Sequence, residues 1–445
     1  MIEYRGLKVA LLGAGSVGSQ VARLLLRHGD ELEARVGARL DLVGIAVRDL
    51  NAERDPAVPR ELLTTDIDSL ILSADIVVEL MGGVDPAREY VLQALNSGAD
   101  VITGNKALMA THGAELFDAA EQVGAQLYYE AAVGGAIPII RPLRDSLAGD
   151  QVTRILGIVN GTTNFILDRM DTDGDSLEDA LVAATALGYA EADPTADIGG
   201  YDAAQKAAIL ASLAFHTTVP LESVYREGIT GITAEQVDAA RSAGYVVKLL
   251  AICERLQDPA TGDDGVSARV YPALVPREHP LAAVRGVHNA VFVQAAAAGD
   301  LMFYGAGAGG LETASAVLGD VVSAARRHVV GGPGVAESTH ANLTVLPVTS
   351  VTTRYQISLR VTDEPGVLAK IAQIFSDQGV SVETLQQSVA TVRAGTGGAS
   401  AAAATATLVI GTHQAAESAL AATVDALRTS DVVSDITSVL RVEGA

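Results

Sequence analysis

The residues best suited to chemistry lie in the run Leu187-Gly-Tyr-Ala-Glu-Ala-Asp-Pro-Thr-Ala-Asp-Ile-Gly-Gly-Tyr-Asp-Ala-Ala-Gln-Lys206. It gathers Glu191, Asp193, Asp197 and Asp202 around one lysine. The stretch that follows, 207–215, has no helix breaker, so Asp202 and Lys206 are expected one turn apart on a shared helix face. Ile209, Leu210 and Leu213 fall on that face and make it apolar. A lysine on a buried face is costly unless it is paired. Two readings follow. Lys206 is a proton donor and acceptor held by Asp202, or the pair is an ordinary salt bridge at a helix start. Spacing alone does not choose between them.

Other constellations point to a dinucleotide. Gly13-Ala14-Gly15-Ser16-Val17-Gly18 follows a strand-like run and opens a helical one. Gly13 permits the tight turn, Gly15 lets the backbone approach a pyrophosphate, and Gly18 allows helix and sheet to pack closely. The helix N-terminus then favours the phosphate charge. The alternative is a glycine-rich turn with no ligand. Arg48 ends the second strand-like run, where it can stack on adenine and pair with a 2′-phosphate, which favours NADP. Asp49 beside it leaves NAD open, and Arg48 as a solvated surface charge is the bland reading. Lys106, next to Gly104 and Asn105, falls just past another strand-like run. There it can meet the nicotinamide region or a substrate, or simply start a helix at the surface. Asn160-Gly-Thr-Thr-Asn164 begins a helix whose start Thr162 and Thr163 can cap, or else they can hydrogen-bond a substrate; capping is the stronger reading.

The elements that must position these groups alternate. Strand-like runs at 7–12, 40–47, 75–80, 100–103 and 126–130, with helical patterns between most of them, predict a doubly wound parallel sheet of the α/β class. In such a sheet ligands gather at the carboxyl ends of the strands. From 131 to about 310 the pattern becomes α+β, with a strand at 152–159, helices near 162–170, 176–187 and 202–215, and strands near 267–275 and 287–298. The run 246–255, which holds Cys253, reads as a buried helix. A helix over 311–330 is expected to return to the first domain. Residues 331–353 read as a linker. Beyond it, strands at 355–361, 380–389, 404–412 and 432–442 and helices at 366–378 and 415–429 give the order βαββαβ. An Ala/Gly-rich loop at 394–404 interrupts this unit.

Composition bounds the answer. A chain of 445 residues, 49% hydrophobic, is long enough for two or three domains with a real core. A formal net charge of −23 argues against nucleic acid and anionic membrane as partners. Cys253 is the only cysteine, so no internal disulfide can form, which suits a reducing cytosol and a cytoplasmic location. It is expected in the core. The eight histidines show no metal-ligand spacing. No run of apolar residues is long enough to span a membrane, and the N-terminus does not read as a signal peptide.

The long acidic segment, together with the N-terminal glycine motif, Gly104-Asn105-Lys106-Ala107 and Gly305-Ala-Gly-Ala-Gly309 in that order, resembles the homoserine dehydrogenases from end to end. The Asp363-Glu-Pro-Gly-Val-Leu368 turn within the βαββαβ unit resembles the ligand-binding turn of ACT domains. The resemblance implies a nucleotide-binding domain over 1–130 completed by 311–330, a substrate-binding and dimerisation domain over 131–310, and an ACT-like regulatory domain over 354–445. It implies reversible reduction of L-aspartate 4-semialdehyde to L-homoserine with NADP or NAD, within threonine, methionine and isoleucine biosynthesis. Lys206 becomes the proton donor, oriented by Asp202, with Lys106 orienting substrate or sharing the proton path. Glu191 and Asp197 become partners of the substrate's amino group. Gly307 and Gly309 join the cofactor site. A monovalent cation such as Na⁺ or K⁺ would be held by the Glu130 side chain or carbonyl and the carbonyls of Val133, Gly135 and Ile137. The ACT unit implies threonine as effector and a homodimer or homotetramer. Two rivals remain: a non-catalytic sensor joining a nucleotide domain to an ACT unit, and another ACT-tailed dehydrogenase of amino-acid metabolism.

Overall fold

The computed structural model describes residues 5–56, 58–332, 339–389 and 405–444. Two sheets organise the chain. The first has six parallel strands in the spatial order Leu63–Thr64, Leu40–Ala46, Leu7–Leu12, Ile76–Glu79, Asp100–Thr103 and Leu127–Tyr128. Strand order reverses between Leu7–Leu12 and Ile76–Glu79, and this is where a doubly wound sheet opens its ligand crevice. The helix Gly310–Val330 returns from far along the chain to this sheet. Its Ala314, Val317, Val321 and Ala324 share a core with Leu7, Val9, Leu11 and Val21.

The second sheet is mixed and runs through Gly299–Ala306, His288–Ala295, Val152–Ile158, Tyr245–Gln257 and Asp264–Pro276. It then continues into the C-terminal unit through Val433–Val442, Thr352–Thr362, Thr405–Thr412 and Val382–Val389. With the helices Val367–Asp377 and Glu417–Arg428 these last strands make the expected βαββαβ order. The join is direct, since Ala273 and Leu274 pair in parallel with Arg441 and Val442. Within the run read as a linker, Thr344–Val345 pair with Gly265 and Val266 of the same sheet. The Ala/Gly-rich loop lies outside the described residues.

One element differs in kind. The run holding Cys253 is a strand, Tyr245–Gln257, rather than a helix. Val247, Leu249, Ala251 and Cys253 join the core beneath the helices, while Val246, Leu250 and Ile252 join a second core on the opposite face. A strand covered on both sides has no polar alternation, so its sequence is indistinguishable from a buried helix. Cys253 is fully buried, as expected, and burial pushes its thiol up to about 12.

Candidate active site

The glycine motif behaves as its spacing predicts. Gly13 has φ +106°, and a Cβ there would stand 2.7 Å from the Leu80 carbonyl oxygen. At Gly18 a Cβ would lie 2.1 Å from the Gly13 carbonyl oxygen, so helix Ser16–Arg27 packs against its own entry turn. Around Gly15 nothing stands within 4 Å of such a Cβ, and its backbone is open to a ligand. A cleft of about 720 Å³ extends from Gly13, Ala14 and Gly15 to Arg48 and Asp49 on one side and Leu80, Met81 and Gly82 on the other. Ser16 and Val17 form the first turn of the helix behind it. Arg54, which no motif singles out, lines the same end as Arg48 and donates to the carbonyls of Ala52 and Asp49.

A second cleft, about 510 Å³, lies where the two sheets meet. Its lining combines the charged Lys106, Asp197, Asp202 and Lys206 with uncharged residues, among them Ala131–Val133, Gly135 and Ala306–Gly309. Asp202 sits in the first turn of helix Tyr201–Phe215, and Ile209, Leu210 and Leu213 are buried along the same helix. Its Oδ2 is 2.9 Å from Lys206 Nζ and its Oδ1 is 2.5 Å from Lys106 Nζ. Lys206 also donates to the Val159 carbonyl at 2.6 Å. Burial works against ionising Asp202. Lys206, Lys106 and a hydrogen bond from Asn160 overcome it and hold the carboxyl well below the usual carboxylate range.

Lys106 is the first residue of helix Lys106–Val123, capped by Asn105, whose Oδ1 accepts from Leu108 N at 3.1 Å. A helix-start lysine is thus compatible with a site role, because this start faces the cleft. Asn160 is a second residue that sequence reasoning passed over. It caps helix Gly161–Thr172 by accepting from Thr163 N, so the cap is Asn160 and not the threonines. Its Nδ2 donates to Asp197 Oδ1 at 2.7 Å and to Asp202 Oδ2 at 3.0 Å, holding the two carboxylates together. Thr162 instead donates to the Tyr189 carbonyl.

Not every candidate joins this cluster. Glu191 is exposed and does not line the cleft, although Tyr189, two residues earlier, does. Gly307 and Gly309 line it. A Cβ on Gly135 would stand 2.3 Å from the Gly307 carbonyl oxygen, so the 131–137 turn and the 305–309 loop interlock. Val133 and Gly135 face the same cleft, and Ile137 is buried behind them. The Glu130 carboxylate accepts from the backbone N–H groups of Ile139, Ile140 and Arg141 at 2.7–3.0 Å. This leaves the carbonyl, not the carboxylate, as the better cation donor of the two considered. Among the described residues no group of three or more His, Cys, Asp and Glu side chains could hold a metal ion.

Comparison with known proteins matches this geometry to a family. Residues 138–322 match the family model for homoserine dehydrogenase, and 13–130 match the homoserine dehydrogenase NAD binding domain. The chain belongs to the homoserine dehydrogenase family. It is an NAD(P)-dependent oxidoreductase acting on a CH–OH group. Residues 355–428 match the ACT domain. The chain is 53% identical to the homoserine dehydrogenase of Corynebacterium glutamicum, over 98% of this chain and 95% of that one. A crystal structure of a homoserine dehydrogenase from Thiobacillus denitrificans superposes with a TM-score of 0.88 at 38% identity, covering 99% of both chains. A hyperthermophilic archaeal homoserine dehydrogenase in complex with NADPH is 27% identical with a TM-score of 0.60, covering 75% of this chain and all of that one. No helix among the described residues is long and apolar enough to cross a membrane.

Proposed function

We propose that this member of the family interconverts L-aspartate 4-semialdehyde and L-homoserine with NADP(H) in preference to NAD(H), under control by threonine. When bound, the reduced nicotinamide supplies the hydride to the aldehyde carbon. The aldehyde oxygen then gains negative charge, and Lys206 Nζ gives it a proton to complete the alcohol. In the oxidative direction the same nitrogen takes the hydroxyl proton. Asp202 aims Lys206 and gives it a counter-charge, and Lys106, on the other carboxylate oxygen, orients the substrate. Asp197 receives the substrate's ammonium group, with Glu191 closing from outside the cleft. The observation that carries this reading is the single buried carboxylate shared by two lysines in a cleft between the sheets.

Arg48 and Arg54 at the far end of the glycine cleft favour a 2′-phosphate. The NADPH complex of the archaeal relative supports the same cofactor. The carbonyls of Glu130, Val133, Gly135 and Ile137 offer the hard oxygen donors that Na⁺ or K⁺ would take. A bound cation there would tie the 131–137 turn that lines the cleft. The ACT unit, with its Asp363–Leu368 turn, supports an amino-acid effector and pairing of subunits as a homodimer or homotetramer. Threonine is the effector expected of a chain that feeds its synthesis, together with that of methionine and isoleucine.

The test is spectrophotometric. Purified protein with L-homoserine and NADP⁺ at alkaline pH should reduce the nicotinamide, faster than with NAD⁺ and less in the presence of threonine. Protein that binds a dinucleotide but shows no homoserine-dependent reduction would return the chain to the sensor reading. Asp363→Ala should relieve threonine inhibition at unchanged basal rate. Removing 350–445 would be a poorer probe, since Glu443 accepts from Tyr271 and lies beside the fully buried Arg269 of the substrate-side sheet.

A further inference from the structure

Asn289 is the second residue of strand His288–Ala295, is 2% exposed and lines the cleft that holds Asp202 and the two lysines. Its Oδ1 is buried without a hydrogen-bond partner. Leaving a buried acceptor unmade costs about 1–3 kcal/mol, and native folds keep few such groups. The side chain is held tightly all the same. A Cβ on Gly307 would come within 1.9 Å of Asn289 Nδ2, and one on Gly161 would stand 3.6 Å from Oδ1. The amide is therefore wedged between the turn that follows Asn160 and the 305–309 loop. Backbone pairing of Asn289 with Gly305 holds the strand and makes no use of the side chain. A packing role alone would be filled better by an apolar residue of similar size.

We infer that Asn289 positions the nicotinamide ring by pairing its side-chain amide with the cofactor's carboxamide. The inference rests on the proposal that this cleft is where nicotinamide and substrate meet. Charge decides between the two ligands. The substrate is a zwitterion, and the charged groups that match it, Asp197, Asp202, Lys106 and Lys206, are tied to one another and to Asn160, with no hydrogen bond to the Asn289 side chain. The lining nearest Asn289 carries no formal charge of its own, with Ala306, Gly307 and Ala308 beside it and His288 before it in the strand. A neutral amide offers one acceptor and one donor, the complement of a carboxamide's donor and acceptor. Holding the carboxamide sets the ring's rotation and so which face it presents to the substrate.

Calorimetric titration separates the outcomes. The wild type, Asn289→Ala and Asn289→Ser are titrated with NADP⁺, with its 3-acetylpyridine analogue, which keeps the carbonyl but lacks the N–H, and with adenosine 2′,5′-bisphosphate, which lacks the nicotinamide. The wild type should bind NADP⁺ about tenfold more tightly than the analogue. Asn289→Ala should bind the two alike, with bisphosphate affinity and the KM for homoserine little changed. Retained discrimination with a raised KM for homoserine would assign the amide to the substrate and overturn the proposal. Retained discrimination with no other change would overturn it as well. Loss of bisphosphate binding in both variants would show the amide to be structural. Failure of the underlying cleft reading looks different, because it would show as a wild type without homoserine-dependent turnover.

Discussion

Lys106 Nζ lies 2.5 Å from Asp202 Oδ1, although Lys106 opens a helix of the nucleotide-binding sheet and Asp202 opens one that packs on the other sheet. This contact joins helices that belong to the two sheets, so the two halves of the site are registered against each other by one carboxylate. Because Lys206 takes the second oxygen, anything that alters Asp202 is felt on both sides. The side chain of Lys106 remains 44% exposed and that of Lys206 only 10%, so the two lysines contribute differently. Lys206 has Asp202 as its buried counter-charge, whereas Lys106 is also reached by water.

Asp202→Asn preserves shape but leaves buried Lys206 with the Val159 carbonyl and no counter-charge. Breaking one side of a buried pair costs roughly 3 kcal/mol, and turnover should fall by about 100-fold or more. Lys206→Ala should lose turnover while dinucleotide binding survives. Lys106→Ala should lose activity with a smaller fall in urea midpoint than Asp202→Asn, because its side chain is 44% exposed and Lys206 still pairs with Asp202. Steady-state kinetics beside urea unfolding would check all three. If Lys206→Ala instead unfolded while Asp202→Asn stayed active, the pair would be an ordinary salt bridge.

The two glycines at either end of the turn predict opposite failures. At Gly18 an added Cβ meets backbone, which cannot step aside, so Gly18→Ala should lose about 1–3 kcal/mol of stability. At Gly15 it meets open space, so Gly15→Ala should melt like the wild type yet bind dinucleotide about tenfold or more weakly. Thermal melts of the ligand-free protein beside calorimetric titration with NADP⁺ separate the two effects. A Gly15→Ala variant of unchanged affinity would mean that no phosphate approaches this turn.

The parallel sheet and the C-terminal βαββαβ order were legible because their strands alternate with helices or with polar positions. Tyr245–Gln257 was not, because both its faces are covered and the period that identifies a strand disappears. Within the site, Asp202 and Lys206 were legible as a pair at helical spacing. Their link to Lys106 was not, since it depends on how the two sheets dock. Asn160 escaped notice because Thr162 and Thr163 already accounted for the capping of this helix start; only the structure shows Asn160 as the cap, with its amide nitrogen between two carboxylates. Burial alone would have misled. Lys248 is more buried than Lys206, yet Asn164 and the Val284 carbonyl satisfy it away from the cleft.

Cofactor choice should follow the two arginines. Arg48→Ala is expected to raise the KM for NADP⁺ about tenfold while leaving NAD⁺ nearly unchanged, because only the 2′-phosphate needs the charge. Arg54→Ala should act in the same direction, and because its guanidinium also holds the Ala52 and Asp49 carbonyls it should affect NAD⁺ slightly as well. Equal losses for both cofactors in Arg48→Ala would assign that residue to adenine stacking instead.

The turn that lines the cleft is anchored by a buried carboxylate with its own pH signature. Asp320 is 1% exposed in helix Gly310–Val330 and accepts from Glu130 N at 2.9 Å and Arg141 Nη2 at 2.5 Å. Burial pushes its carboxyl up to about 6, against the pull of Arg141 and of the hydrogen bond from the Glu130 backbone N–H, while the charge of the Glu130 carboxylate adds slightly to the rise. A carboxyl whose pKa is raised in the folded state binds its proton more tightly there than in the unfolded chain. Its contribution to stability is therefore full below the ordinary value of 3.8 and is lost as pH rises through about 6. The shift corresponds to at most about 3 kcal/mol. Asp320→Asn removes the titration, so the variant's melting temperature should gain on the wild type's as pH rises from about 4 to 7. Melting curves across that range decide the sign. If the wild type gains on the variant instead, the ion pair with Arg141 outweighs burial, and the 130–141 turn is held by charge rather than in spite of it.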